Sequence, residues 1–275
     1  MRAASVGTLF VVIGCTPAGS ASSSGTPATS ARPPATASPA APARKGAPAT
    51  KVQSPVAPET AQLVTVVSSA WTSVPATLQR YARAKTWSPV GKPIAVVLGK
   101  SGLGWGRGLH PRSGEDGPTK HEGDGRSPAG VFALGTAFGY AAPERAEWLS
   151  LPYARATDDL ECVDDTSSSH YNQLVFRSAV AHVDWTSSEH MKRRDSLYRW
   201  GVFVDHNTAP VVPGEGSCIF LHIWRGPESS TVGCTAGDET DMKEVFAWLD
   251  PAKHPVLVQL PRPVYELHAH DWALP

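Results

Sequence analysis

Near its start the chain carries 35 residues that no compact fold can use. Residues 16–50 contain 11 Ala, 7 Pro, 6 Ser and 5 Thr, and not one Leu, Ile, Val, Met or aromatic residue. Such a stretch cannot bury enough apolar surface to offset the entropy of ordering it. A core has to come from the residues downstream, and all nine Trp lie at or beyond Trp71. The foldable part is about residues 61–275, enough for one sizeable core. Net charge over the 275 residues is zero, with 25 bases and 25 acids. Residues 1–60 hold five of the bases and one acid, which leaves 20 bases against 24 acids for the folded part. No Lys/Arg run is long enough for a nucleic-acid stripe, so no nucleic-acid partner is expected.

Residues 1–15 read MRAASVGTLFVVIGC: one Arg, then a short apolar run from Val6 to Ile13, then small residues. The run is too short to span a bilayer and has the layout of an export signal. A buried strand behind a chance Arg is the alternative, and the core-less tract after it argues against it. The ending Val12-Ile13-Gly14-Cys15 resembles the bacterial lipobox. That resemblance implies cleavage before Cys15 and a lipid on its sulfur, which holds a protein on a membrane surface. Thr16, not Asp, follows the Cys. In a Gram-negative envelope this places such a lipoprotein on the periplasmic side of the outer membrane. Residues 16–60 then form a disordered tether. At about 3.1 Å per residue its extended reach is roughly 140 Å, and nearer 40 Å as a coil.

The remainder reads as mainly β with a few short helices. Residues 61–91 have mixed periodicity (Val66, Val67, Ala70, Val74, Leu78) and read as a strand or helix leading into the domain. Pro93–Gly99 is a short β-branched run, a buried strand. Gly99–Gly130 is rich in Gly, Pro and charge and reads as mostly loop. Gly130–Gly139 reads as a strand pair or hairpin arm. Arg199–His206 and Cys218–Trp224 are strands. In the second, Ile219, Leu221 and Ile223 take one face, and Phe220, His222 and Trp224 the other. Asp238 is the N-cap of a helix whose apolar residues Met242, Val245, Phe246 and Leu249 recur at i, i+3, i+4 and i+7, with Pro251 ending it. Pro255–Leu260 is a final core strand, and residues 262–275 a polar tail containing His268 and His270. That His pair lacks a third ligand at defined spacing, so no metal and no cofactor is expected. The acids in Glu161-Cys162-Val163-Asp164-Asp165 read as turn residues.

With Cys15 lipidated, Cys162, Cys218 and Cys234 remain, and export favours pairing of two of them. Counting does not say which is left over. Cys234 comes after a small, polar run, Ser229-Ser230-Thr231-Val232-Gly233, between a strand and a helix. A strand-to-helix turn exposes a side chain and aims backbone N–H groups at one spot, as thiolate and oxyanion chemistry require. His222, twelve residues upstream, is the natural base. A small buried hydrophobe and a satisfied core histidine are the plain alternatives.

Ile219-Phe220-Leu221-His222-Ile223-Trp224 followed by Thr231-Val232-Gly233-Cys234 resembles the active-site motif of the L,D-transpeptidases of the YkuD type, in which a strand His precedes a Ser/Thr-His-Gly-Cys sequence. The segment from Lys120 to Phe132, with Ser127-Pro128-Ala129-Gly130, is similar to that family's upstream block. The likeness covers about residues 92–261. It implies a β-sandwich catalytic domain and a Cys thioester formed with a peptidoglycan stem peptide and passed to an amine, in cross-linking or protein anchoring. Cys234 is then the nucleophile and His222 the base, and the Gly233 and Cys234 N–H groups are oxyanion donors. With Cys234 reduced, Cys162 and Cys218 are the pair left for a disulfide. Substrate contacts are expected from Arg225, Trp224, Lys120 and Glu122. There are two departures from the motif. Val232 stands where the family often has His, so orienting the base falls to a backbone carbonyl or another side chain. Ala236 stands where Asn or Arg is often seen, which leaves Arg225 as the candidate carboxylate anchor. Hydrolysis of the thioester, as in an L,D-carboxypeptidase, uses the same residues. A non-catalytic cell-wall-binding lipoprotein is the reading from a different class.

Overall fold

The structure, a computed structural model, describes residues 54–111 and 116–275, which belong to one compact unit. The expected signal segment, Cys15 and the expected tether as far as residue 53 lie outside the described residues, whereas residues 54–60, expected to be part of a disordered tether, are packed on the domain: Val56 is buried in the core and Ser54 Oγ donates to Trp272 O at 2.9 Å. Among those described, no helix is long and apolar enough to cross a membrane.

The fold is mainly β. The strands are β1 (Gln62–Ser68), β2 (Pro75–Arg83), β3 (Trp87–Val97), β4 (Leu103–Trp105), β5 (Ser127–Gly139), β6 (Tyr153–Arg155), β7 (Leu160–Val163), β8 (Leu174–Phe176), β9 (Ser188–His190), β10 (Trp200–Val204), β11 (Phe220–Ile223), β12 (Thr235–Gly237) and β13 (Val256–Pro261). Two helices are described, α1 (Glu239–Trp248) and α2 (Arg262–His268).

The expected sandwich of two sheets is replaced by one sheet closed on itself. Its order is β10-β11-β12-β3-β2-β1-β13-β5, and β5 pairs back onto β10 to complete a ring of eight strands. The cause is the length of β5. Its 13 residues serve two neighbours within the ring, with residues 130–133 opposite β13 and residues 134–139 opposite β10, while the short strands β4 and β6 pair with its two ends. Gly130–Gly139 is thus part of one uninterrupted strand, not a hairpin. Closure removes the exposed edges that an open sheet would leave. A separate three-stranded sheet, β8-β7-β9, stands beside the barrel.

Residues 61–91 are not a lead-in. They supply β1, β2 and part of β3, and β1 lies between β2 and β13 with Leu63, Val64 and Val66 fully buried. A strand buried on both faces reads as a continuous apolar run, and this blurs its period. The tail is also structural: α2 comes directly after β13, Trp272 is buried in the core, and Trp87 Nε1 donates to Ala273 O at 2.7 Å. His268 stacks on Trp272, ring centroids 4.2 Å apart. Residues 161–163, read as turn, belong to β7, and Glu161 is buried.

Other expectations match. Ile219, Leu221 and Ile223 enter the barrel core, while Phe220 packs in a second cluster with Cys162, Cys218, Cys234 and Tyr198. Asp238 caps α1 by accepting from Thr240 N at 2.8 Å, and the helix buries Met242, Val245 and Phe246.

Candidate active site

β11 and β12 run parallel and in register, so that His222 stands opposite Ala236. Cys234 immediately precedes β12. A small residue at 236 leaves space beside the imidazole, and Ala236, His222 and Cys234 all line one cavity of about 240 Å³.

The turn before Cys234 is held through that residue's carbonyl. Thr231 Oγ1 and Ser127 Oγ both donate to Cys234 O, at 2.6 and 2.8 Å. Ser127 in turn accepts from Gly99 N at 2.9 Å, so the Ser-Pro-Ala-Gly block is wired directly to the thiol-bearing turn. Its glycine has a separate reason. Gly130 sits at φ +136°, and a Cβ there would run into the His110 ring. On the far side, Thr235 Oγ1 donates to Gln259 Oε1 and Gln259 Nε2 donates to Pro128 O, which ties β12, β13 and β5 together inside the barrel.

Cys234 is buried, not lifted into solvent as the strand-to-helix reading expected, because it leads into a strand and packs in the second core cluster. Its Sγ accepts from Phe220 N at 3.3 Å and donates to Cys218 O at 3.6 Å. Burial pushes the thiol up to about 12, with the nearby Glu189 charge adding to it and the Phe220 N–H working against it. His222 is buried too, and burial pushes its imidazole down to about 4 against the favourable Ile223 carbonyl. At neutral pH the pair rests as thiol and neutral imidazole. His222 Nδ1 lies 2.8 Å from Ile223 O, a carbonyl that can only accept, so Nδ1 carries the proton and Nε2 is left as the basic nitrogen. The orienting group is therefore a backbone carbonyl, and Val232, 74% exposed at the rim, takes no part in it.

Cys162 and Cys218 form a disulfide, with Cα atoms 5.9 Å apart, and Cys234 is the free thiol among the described cysteines. Cys218 sits at φ +54°, uncommon for a residue with a side chain. Its N–H donates to Asn172 Oδ1 at 2.9 Å, and Asn172 Nδ2 donates to the carbonyls of His206 and Asn207. The strand carrying His222 is thus anchored just before it begins.

Of the two oxyanion candidates, the Gly233 N–H is already engaged, donating to Thr231 Oγ1 at 3.1 Å. Arg225 and Trp224 line the same cavity as Cys234. Arg225 is an exposed arginine paired with Asp195 at 3.1 Å. Lys120 and Glu122 line a second cavity that also reaches Cys234. Lys120 is buried and its ammonium donates to Asp124 Oδ1 and His121 O, each at 2.6 Å. His206, another histidine near the barrel, is satisfied at both ring nitrogens: Nδ1 accepts from Arg107 N, and Nε2 donates to Glu215 O. Burial drives its pKa down to about 3.

Tyr198, Glu189 and Arg193 complete the first cavity, and sequence reading missed all three. The Tyr198 hydroxyl donates to Glu189 Oε1, and its ring lies edge-on to His222 at 5.0 Å. Arg193 stands over the Tyr198 ring and pairs with Asp195 at 2.7 Å and Glu189 at 3.5 Å. Burial raises the Glu189 carboxyl despite the Tyr198 hydroxyl and Arg193. The three lie close together in sequence, in β9 and the segment between β9 and β10, but no local pattern says that this segment folds against Cys234 and His222.

Comparison with protein-family models, with curated proteins and with solved structures finds no match to this chain.

Proposed function

We propose that the protein is a cell-wall acyltransferase of the L,D-transpeptidase kind, in which Cys234 forms a thioester with a peptidoglycan stem peptide and passes the acyl group to an amine. The observation that carries this reading is the Cys234–His222 pair in one cavity, with Nδ1 of the histidine committed to Ile223 O. A neutral thiol attacks only as it loses its proton, and Nε2 is the buried base available to take it. The leaving amine then receives that proton from His222. Tyr198 supplies a hydroxyl beside the sulfur, and the cations Arg193, Arg225 and Lys100 give the cavity a lining suited to the carboxylates of a stem peptide. The motif likeness supplies the substrate class and the lipid on Cys15 the location. A protein tethered to a membrane by a long, core-less segment can reach the nearby wall.

Incubating the full chain with tetrapeptide stems, followed by intact-protein and muropeptide mass spectrometry, tests this. A covalent adduct on Cys234 and cross-linked dimers are expected, and Cys234→Ala eliminates both. Trimmed stems without dimers would make the protein a hydrolase, and stems bound without an adduct would make it a binding module. For location, Cys15→Ser is expected to move the protein from membranes to the soluble exported fraction.

A further inference from the structure

Two cavities reach the same sulfur. The first holds His222. The second, of about 280 Å³, shares Lys100, Val232 and Cys234 with it and is otherwise walled by different residues, among them Lys120, Glu122, Asp164, Ser217 and Cys218. A hydrolase has no need of a second built cavity at its nucleophile, since water is small.

The two cavities differ in their charged groups. The first carries Arg193 and Arg225, both paired with Asp195, and Glu189, which Arg193 and the Tyr198 hydroxyl hold. In the second, the Lys120 ammonium is engaged by Asp124 and His121 O. Glu122 is held as a fixed carboxylate: Oε2 accepts from the Tyr171 and Ser217 hydroxyls, and Oε1 from Gly123 N at 3.3 Å. Asp164 is different. Its Oδ1 is buried and has no hydrogen-bond partner among the described residues. A buried carboxylate oxygen left without a donor is costly, and such an atom in a native site calls for an explanation.

Asp164 is also well placed. It directly succeeds β7, where Cys162 is bonded to Cys218 and Val163 exchanges backbone hydrogen bonds with Asn172 and Gln173. Cys218 O in turn accepts from the Cys234 thiol. The disulfide therefore fixes β7, which Asp164 follows, to the backbone that touches Cys234.

We propose that the second cavity is the acceptor site and that Asp164 recognises a primary ammonium there, steering the thioester to aminolysis in preference to hydrolysis. The inference rests on the reading of Cys234 as nucleophile. An alkylammonium supplies the donors that Asp164 lacks, and Glu122 adds a second negative charge to the same wall. The ammonium loses one proton to Asp164 and its nitrogen lone pair attacks the thioester carbonyl. The C–N bond forms as the C–S bond breaks, and the bonding pair of the latter stays on Cys234 Sγ. The second proton of the nitrogen passes to His222 and then to the sulfur, restoring the thiol. The proton on Asp164 leaves to solvent.

The test uses the full chain, a tetrapeptide stem as donor and a tripeptide with a free lysine side chain as acceptor, reading thioester, cross-linked and hydrolysed stem separately. In Asp164→Asn, cross-linked product per thioester formed is expected to fall at least about tenfold, with the loss in acceptor KM, and Asp164→Glu is expected to regain part of it. In the unchanged protein, the same tripeptide carrying arginine in place of lysine, which keeps the charge and N–H donors but stays protonated and cannot attack, is expected to inhibit cross-linking without slowing thioester formation. Identical partitioning in Asp164→Asn, or inhibition of thioester formation equal to that of cross-linking, would overturn the acceptor assignment alone. Absence of any thioester in the unchanged protein would overturn the nucleophile and the acceptor site together.

Discussion

The eight-strand barrel and the three-stranded sheet beside it are stabilised by different means. The barrel has a large apolar interior in which Leu63, Val64, Phe132, Leu257 and Leu260 are almost wholly buried, and among its buried polar residues the amides Gln62 and Gln259 and the hydroxyl of Thr235 are paired, with Arg80 and His222 as its buried ionisable residues. The small sheet has strands of three or four residues, too little to enclose a core of its own. It is tied by a disulfide and by a buried carboxylate, Glu161, which accepts from Trp185 Nε1 at 2.7 Å, Ser188 Oγ at 2.8 Å and Arg177 at 3.2 Å. The candidate site lies where the two meet. The barrel positions the proposed reacting pair, His222 on β11 and Cys234 immediately before β12, and the segments around the small sheet supply Glu189, Arg193 and Tyr198 beside it. A nucleophile needs fixed geometry, which a closed sheet gives. Selectivity for charged groups needs ionisable residues at the cavity, and Glu189, Arg193 and Asp164 come from the small sheet and the segments next to it.

Four substitutions sharpen that contrast. His222→Ala, on the barrel side, is expected to slow thioester formation by about 10²–10⁴, the range for loss of a general base. Tyr198→Phe, on the other side, is expected to slow it by far less, and single-turnover rates measure both. Equal losses would break the division of roles. Phe132→Ala empties a barrel position where the ring meets His110 and His206 edge-on, at 5.7 and 5.8 Å. Its expected cost is about 3–5 kcal/mol by denaturant unfolding, felt throughout the molecule. Replacing Cys162 and Cys218 together by Ser is expected to cost about 2–4 kcal/mol. Amide exchange should rise mainly over residues 160–190, with β1 and β13 still protected. A uniform rise would show that the small sheet and the barrel unfold as one unit.

Glu161→Gln is expected to have the smallest effect, about 1–3 kcal/mol, and a signature in pH. Burial works against the Glu161 charge, but the bonds from Trp185, Ser188 and Arg177 together hold its carboxyl below the usual range. A group with a depressed folded pKa stabilises fully above its unfolded value, about 4.3, and loses that contribution as pH falls through the folded value. The difference between wild type and Glu161→Gln is therefore expected to be constant above about pH 5 and to shrink below about pH 4. A difference that grows on acidification would contradict the assignment.

Much of the site was legible in sequence because its parts are local. His222 and its neighbours alternate along one strand, and Gly-Cys comes after a short return, so β pairing alone brings them together. Thr231, Ser127 and Gly130 carry meaning in the same way, as turn and close-approach residues with specific backbone partners. The helix from Asp238 was legible because its period and cap repeat within three turns. What failed to show was whatever depends on closure. β1 is buried on both flanks, so its period is lost and it reads as a lead-in. β5 bridges β13 and β10 to close the ring, and nothing in its composition says that it turns from one to the other.

The sequence by itself determined where apolar residues for a core are present, the residue types proposed to react and the pair of cysteines left for a disulfide once Cys234 is kept free. Only the tertiary structure decided that Cys234 is buried, that its carbonyl is clamped by Ser127 107 residues away, and that Tyr198, Glu189 and Asp164 line the cavities that reach Cys234. The physical reason is range. Side-chain identity and strand period act over a few residues, whereas desolvation and charge proximity are set by which distant segments the closed sheet brings into contact.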